Sequence, residues 1–292
     1  MCAQIPVYDI CNLINNDDKN IHCNVLDLQT FVSQSQQLVS TAHRHSFYQI
    51  LVVFNGSGDH HIDFKIHEIS EGSVFFLVPG QVHKWNFNDD AEGMVINFNK
   101  EFFTSFVGKS NYLEQFLFFI GNGEYSKIQF KENFSMIKSI LVKIQKEYIN
   151  TQQLSADLIR MYLIELFIHA QRQLKIEDNI QIHHSQQYII LRNFEMLVEE
   201  HFKTKKLPKD YAELLFITSN HLNAVCKKIK GFSAGEIIRN RIVLEIKRLL
   251  INSTLTIAEI AYELNFQDNS YFSRFFKKNT GLTPEEFRNT NE

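Results

Sequence analysis

The stretch Thr256–Arg288, TIAEIAYELNFQDNSYFSRFFKKNTGLTPEEFR, decides how the C-terminal part of this chain is read. Within it, NSYFSRFFKKNT carries apolar residues at three-to-four spacing and ends at Gly281, a residue suited to the left-handed position that closes a helix. Thr283 and Glu286 form a capping box after that glycine, with Pro284 at the favoured first helical position. Thr256 and Glu259 form another at the start of TIAEIAYEL. The stretch therefore predicts short, separately capped helices joined by tight turns.

The same pattern stands 50 residues earlier. Lys227, Lys228, Gly231 and Glu236 return as Lys277, Lys278, Gly281 and Glu286. Leu222, Asn223, Phe232, Ser233 and Ile237 have Phe272, Ser273, Leu282, Thr283 and Phe287 as similar counterparts. SNHLNAVCKKIKG is thus a second Gly-closed helix, followed by the capping box Ser233–Glu236. Between the two units EIIRNRIVLEIKRLLI reads as one connecting helix. A helix, a tight turn and a second, basic helix is helix-turn-helix geometry, in which the second helix enters the major groove. A rigid connector would set two such helices into successive grooves about 34 Å apart. On composition alone, the lysines could equally be the solvated face of an all-helical domain.

Charge leans the same way without deciding the matter. From Ser185 onward there are 16 Lys and Arg against 13 Asp and Glu, and before it 14 against 20, within a net charge of -3. A mildly basic C-terminal part permits nucleic acid but does not demonstrate it. At 292 residues, 44% hydrophobic and 13% aromatic, the chain is long enough for about two domains with real cores. Cys2, Cys11, Cys23 and Cys226 lack CxxC spacing and read as reduced thiols. The opening MCAQIPVYDICNL has no leader pattern, and no apolar run reaches the ~18 residues of a membrane span. The expectation is a cytoplasmic protein with no membrane partner.

Working toward the N-terminus, the polar segment LKIEDNIQIHHSQQ loses helical periodicity and is the expected linker. Before it, YLEQFLFFI, NFSMIKSILVKIQKEYI and LSADLIRMYLIELFIHAQRQL read as helices. Residues from about 22 to 99 read as strands: FYQILVVF and DHHIDFKI are expected to pair as a hairpin across NGSG, and SVFFLV is a buried strand before Pro79-Gly80. The expected fold class is α+β. It comprises an N-terminal β-barrel (about 22–105) with flanking helices (about 109–174), a linker at 175–186, and an all-α domain at 187–292.

From about Tyr211 to Arg288 the chain closely resembles the AraC/XylS family of transcription regulators, most strongly in Thr256–Arg288 and less strongly in YAELLFITSNHLNAVCKKIKGFSAGEIIRNRI. The resemblance implies a sequence-specific DNA-binding regulator, not an enzyme, with double-stranded DNA and RNA polymerase as partners. It carries base reading onto Asn220, Asn223 and Ala224 in the first unit and onto Asn269, Ser270 and Arg274 in the second. Arg274 suits guanine, and Asn223 or Asn269 suits adenine. Lys227, Lys228, Lys277 and Lys278 suit phosphates. Ala224 departs from the family's common Arg, and Cys226 from a common core Phe; the latter reads as a small buried hydrophobe.

The strand-rich region resembles the cupin-like sensor domain that precedes many such DNA-binding domains. His43-x-His45-x3-Gln49-x6-Gly56 overlays the first cupin motif and Gly72-x6-Pro79-Gly80-x2-His83 the second, with Gln49 in place of a metal-binding carboxylate. Three readings stay open: a small-molecule effector pocket lined by His45, Gln49, His83 and Trp85; a metal site at His43, His45 and His83; or structural histidines in a ligand-independent dimeric regulator. No cofactor is expected. The doublets His60-His61 and His183-His184 read as exposed histidines. Ile159, Leu163 and Leu166 form an apolar stripe that either makes a homodimer interface, as helices after the barrel often do in the family, or covers the barrel.

Overall fold

The computed structural model describes residues 6–10, 22–34, 41–88, 91–107, 112–120, 125–174 and 186–290, in two compact units, Pro6–Ile176 and Glu177–Glu292. Residues 175–185, which hold most of the expected linker and the His183-His184 pair, lie outside the described residues.

The first unit is built on strands β1 (Val7–Tyr8), β2 (Cys23–Asp27), β3 (Arg44–His45), β4 (Tyr48–Asn55), β5 (Gly58–Ile62), β6 (Lys65–Ile69), β7 (Ser73–Leu77), β8 (His83–Phe87), β9 (Glu92–Phe98) and β10 (Lys127–Gln129). Its helices are α1 (Leu28–Gln34), α2 (Glu101–Val107), α3 (Phe134–Asn150) and α4 (Ser155–Gln173). One antiparallel sheet runs β10-β7-β4-β9-β2, another β6-β5-β8, and β1 pairs in parallel with β3. An isolated bridge between His43 and His83 links β3 to β8. Among the described residues the strands pair within these three ladders.

The five-stranded sheet is covered on both faces, which is why its strands read as nearly continuous apolar runs. Along β4, Tyr48, Ile50 and Val52 face a core shared with α3 and α4, while Leu51 and Val53 face the three-stranded sheet. Ile159, Leu163 and Leu166 point from α4 into the first of these cores and are at most 5% exposed. Of the two expectations for the stripe, this is the one in which it covers the sheet of its own chain. Burying a Leu or Ile side chain contributes about 1.5–3 kcal/mol, and here the sheet of the same chain takes these three.

Two expectations are corrected. β4 and β5 are not a hairpin: β4 lies between β7 and β9, β5 between β6 and β8, and NGSG carries the chain from one sheet to the other. Gly58 permits the crossing, because a Cβ there would stand 2.1 Å from the Asn86 carbonyl oxygen. The tight hairpin is β5–β6, where Ile62 pairs with Lys65 around Asp63 at φ 51. Asp is one of the few side chains that visit this region readily, and without a glycine the turn left little trace in the sequence. YLEQFLFFI, expected as a helix, forms two 3₁₀ turns at Leu113–Gln115 and Leu117–Phe119, with Phe116 extended between them. Phe116 to Ile120 are all buried, so the segment has no solvent-facing side around which a regular amphipathic helix could be organised.

The second unit contains α5 (Gln186–His201), α6 (Pro208–Leu214), α7 (Ser219–Lys230), α8 (Ala234–Asn252), α9 (Ile257–Glu263), α10 (Asn269–Thr280) and α11 (Pro284–Thr290). Its core runs from Phe194 through Tyr211, Leu222, Ile242 and Ile260 to Phe276. Gly231 (φ 76) and Gly281 (φ 86) close α7 and α10 in the left-handed conformation. The capping boxes at Ser233–Glu236, Thr256–Glu259 and Thr283–Glu286 are all formed.

Candidate functional site

The second unit holds two helix-turn-helix pairs, α6–α7 and α9–α10, tied by the single helix α8. Both turns are made alike. Phe216 (φ 55) and Asn265 (φ 54) take the left-handed conformation. The Ile217 N–H donates to the Ala212 carbonyl at 3.0 Å, and the Phe266 N–H to the Ala261 carbonyl at 2.8 Å. These equivalences run at an offset of 49 rather than 50, because the second turn has one more residue before its cap. Thr218 caps α7 by accepting the His221 N–H, whereas Asp268 caps α10 by accepting the N–H groups of Ser270 and Tyr271.

On these helices Asn220, Ala224, Asn269, Ser270 and Arg274 are exposed, as are Lys227, Lys228, Lys277 and Lys278. The structure thus groups five of the six residues aligned with base reading on open helix faces. Arg274 lies along α10, its Nε donating to the Ser270 carbonyl at 3.2 Å and its guanidinium 3.9 Å from Asp268. Both partners are well exposed, so that ion pair is weak and leaves the guanidinium available. Asn223 differs. It is half-buried, and its Oδ1 accepts the Ala234 N–H at 3.0 Å, joining α7 to the start of α8. A bidentate contact to adenine needs both ends of the amide, and one end is already engaged. At the equivalent place in the second unit stands Pro284, which has no N–H, so Ser273 has no such duty.

Several positioning residues were not singled out from the sequence. Lys206 donates to the carbonyls of Leu264 (2.8 Å) and Asn265 (2.6 Å) at the end of α9, with its ammonium over the Phe266 ring. Arg288 donates to the carbonyls of Leu250 (3.0 Å) and Leu255 (2.7 Å). Arg241 stacks on Phe202 and pairs with Glu199 and Glu245. Lys228 donates to Gln187 of α5 at 3.0 Å. The only signal for these would have been a cation near a helix C-terminus or a carboxylate, too common to select. Cys226 is buried in the core, and burial pushes its thiol pKa up to about 12, the state of an inert small hydrophobe.

In the first unit His45, Gln49, His83 and Trp85 are brought together between the sheets, each no more than 2% exposed. His60 joins them. It is fully buried, contrary to the reading of its doublet as exposed, and its Nε2 accepts the Trp85 indole N–H at 2.6 Å and lies 3.2 Å from His83 Nδ1. His45 Nδ1 sits 2.8 Å from the Phe47 carbonyl, and His43 Nδ1 3.0 Å from that of Thr41. A ring nitrogen facing a carbonyl oxygen carries the proton, which leaves Nε2 of both rings as a bare acceptor. Burial lowers all four histidine pKa values, His45 to about 3, so the cluster is neutral. Among the described residues no group of three or more His, Cys, Asp or Glu is arranged to hold a metal ion.

Comparison with known proteins places this geometry. The AraC-like ligand binding domain matches residues 30–184, more than half of the chain, and a helix-turn-helix domain matches residues 211–290. The chain belongs to the AraC family. Two relatives in the family are the HTH-type transcriptional activators RhaR of Mannheimia succiniciproducens (21% identical over 84% of this chain and 86% of the relative) and RhaS of Escherichia coli (22%, 84% and 86%). Among solved structures, unsaturated fatty acid-bound ToxT of Vibrio cholerae is 17% identical, covering 91% of this chain and 94% of its own, at a TM-score of 0.41. As an AraC-family member the protein is a DNA-binding transcription regulator with a sheet-rich ligand-binding domain ahead of its helix-turn-helix domain. No helix among the described residues is long and apolar enough to cross a membrane.

Proposed function

We propose that this AraC-family regulator reads DNA through α7 and α10 and is controlled by a small molecule bound between the sheets of its first unit. In this reading residues 1–174 sense, 175–186 link, 187–292 bind DNA, and the protein is a regulator rather than an enzyme. The observation that carries it is the paired turn geometry, which presents two polar, lysine-flanked helix faces from one rigid core. Arg274 meets guanine O6 and N7 together, worth about 1–3 kcal/mol of discrimination. Ala224, at the comparable place in the first unit, offers at most a methyl contact, and Asn223 is partly spent within the fold. Asn220, Asn269 and Ser270 supply the remaining base contacts, while Lys227, Lys228, Lys277 and Lys278 hold phosphates. The RhaR and RhaS relatives are activators, which supports activation through RNA polymerase in the cytoplasm, with a homodimer as one arrangement.

Randomised-site selection with the full chain tests the reading. The expected site is lopsided, with strong preference under the second unit and loose preference under the first, one helical turn away. Arg274→Ala should flatten preference in one half-site only, and Lys277→Ala should weaken all sequences alike while reducing the salt slope by about one unit. Equal information in both half-sites would overturn the assignment of Arg274.

A further inference from the structure

The inner face of the five-stranded sheet changes character from one row to the next. Leu26, Val95, Leu51 and Phe75 stand opposite one another across β2, β9, β4 and β7 and form an apolar row. In the next row Asn24, Asn97 and Gln49 stand in register on β2, β9 and β4, with Leu77 following on β7. All three amides are at most 1% exposed. Only one hydrogen bond joins them, from Gln49 Nε2 to Asn97 Oδ1 at 2.9 Å. Both polar atoms of Asn24 and Nδ2 of Asn97 have no partner among the described residues, and neither does Nε2 of His83, while the Gln49 amide lies within reach of the His45 ring.

A buried row of three neighbouring amides joined by a single hydrogen bond is not what folding selects. Each buried polar group without a partner is destabilising, whereas the great majority of such groups in native proteins are satisfied. The chemistry of the row also specifies its counterpart. The amide nitrogens donate, the amide oxygens and the bare Nε2 of His45 accept, and none carries charge. None of the side chains of this row is ionised, so an ionised group entering here would meet no countercharge from the row itself, a costly arrangement. Leu28 and Phe31 of α1 pack in the apolar core on this side of the sheet, with Phe31 on the Trp85 ring at 5.4 Å between centroids.

We propose that Asn24, Asn97 and Gln49, with His45 and His83 opposite, form the recognition floor for an uncharged effector bearing both hydrogen-bond donors and acceptors, of hydroxyl or amide chemistry. The proposal rests on the reading of this unit as the effector domain and adds its residues and ligand class.

The test is Asn24→Leu in the full chain, which keeps the branched shape and removes both unpaired atoms. If the row is kept for a ligand, the variant is more stable than wild type: the unfolding midpoint followed by Trp85 fluorescence rises by roughly 2–4 °C. If the row is structural, the midpoint falls or the unit fails to fold, which overturns the proposal. Small molecules retained after equilibration with a metabolite extract are then identified by mass spectrometry. An uncharged hydroxyl- or amide-bearing compound held by wild type and lost from Asn24→Leu is the expected result. A retained carboxylate overturns the ligand class but leaves effector control standing. A compound held equally by both proteins overturns the location. Retention of nothing by wild type removes effector control itself, and this proposal with it.

Discussion

Asn223 and Ser273 occupy equivalent places in α7 and α10, and the difference between them follows from a residue one helix further on. The following helix begins at Ala234 in the first unit, whose N–H takes Asn223 Oδ1, and at Pro284 in the second, where there is no donor to satisfy. Removing the acceptor orphans a half-buried N–H, so Asn223→Ala should destabilise the second unit by about 1 kcal/mol. Asn223→Asp should recover most of that loss. Ser273→Ala, at a half-buried position with no such backbone N–H to satisfy, should stay within about 0.5 kcal/mol of wild type. Urea unfolding followed by far-ultraviolet circular dichroism measures the three. Equal losses for Asn223→Ala and Ser273→Ala would contradict the account. His60 teaches a related lesson at the same scale: a histidine doublet on a strand places one ring on each face, and the inner ring is the one that bonds to Trp85.

Among the elements, α4 carries the sharpest prediction. Its apolar stripe packs on the five-stranded sheet, so Leu163→Ala should open a cavity in that core and cost about 2–5 kcal/mol, lowering the unfolding midpoint reported by Trp85. Sedimentation would follow the loss of fold rather than precede it. A variant that became smaller in solution with an unchanged midpoint would restore Leu163 to a subunit interface. The helix-turn-helix pairs show how little is needed to hide a repeated element. One extra residue in the second turn shifts the offset from 50 to 49, so a comparison at one offset finds α7 and α10 together with the helices after them. It does not align α6 with α9, although their backbone bonds are the same.

At the scale of the whole molecule, the histidine cluster makes the first unit acid-sensitive. Its four rings have pKa values lowered by burial, whereas in the unfolded chain they titrate near 6.5. Above that value both states are neutral and the cluster imposes no pH dependence. As pH falls below it, the unfolded chain takes up protons that the folded unit refuses. Stability therefore declines by up to about 1.4 kcal/mol per pH unit for each ring, continuing for His45 toward its folded value near 3. Trp85 is the single tryptophan of the chain, and its fluorescence reports this unit. Its unfolding midpoint should drop steeply between pH 7 and pH 5, with proton uptake on unfolding. A midpoint independent of pH over that range would show that the rings charge without cost, and hence are not buried.

The C-terminal half was legible because its signals are local. Capping boxes, closing glycines and three-to-four spacing each involve residues within one turn of helix, and such contacts form wherever the backbone coils. Thr256–Arg288 and its earlier copy therefore determined the helices, their order and the exposed faces without reference to anything distant. In the N-terminal half the sequence determined that strands exist, and the resemblance to a cupin-like domain implied that His45, Gln49, His83 and Trp85 belong near one another. Which strands pair was decided by the tertiary structure, because an apolar run such as YQILVVFN fits a hairpin and a sheet crossing equally well. Only burial on both faces, with a crossing that glycine alone tolerates, separates the two. The same holds for Asn24 and Asn97, which are 73 positions apart. Register across β2, β9 and β4 makes one buried row of them with Gln49, and no pattern along the chain encodes a contact between strands that meet only after the sheet has formed.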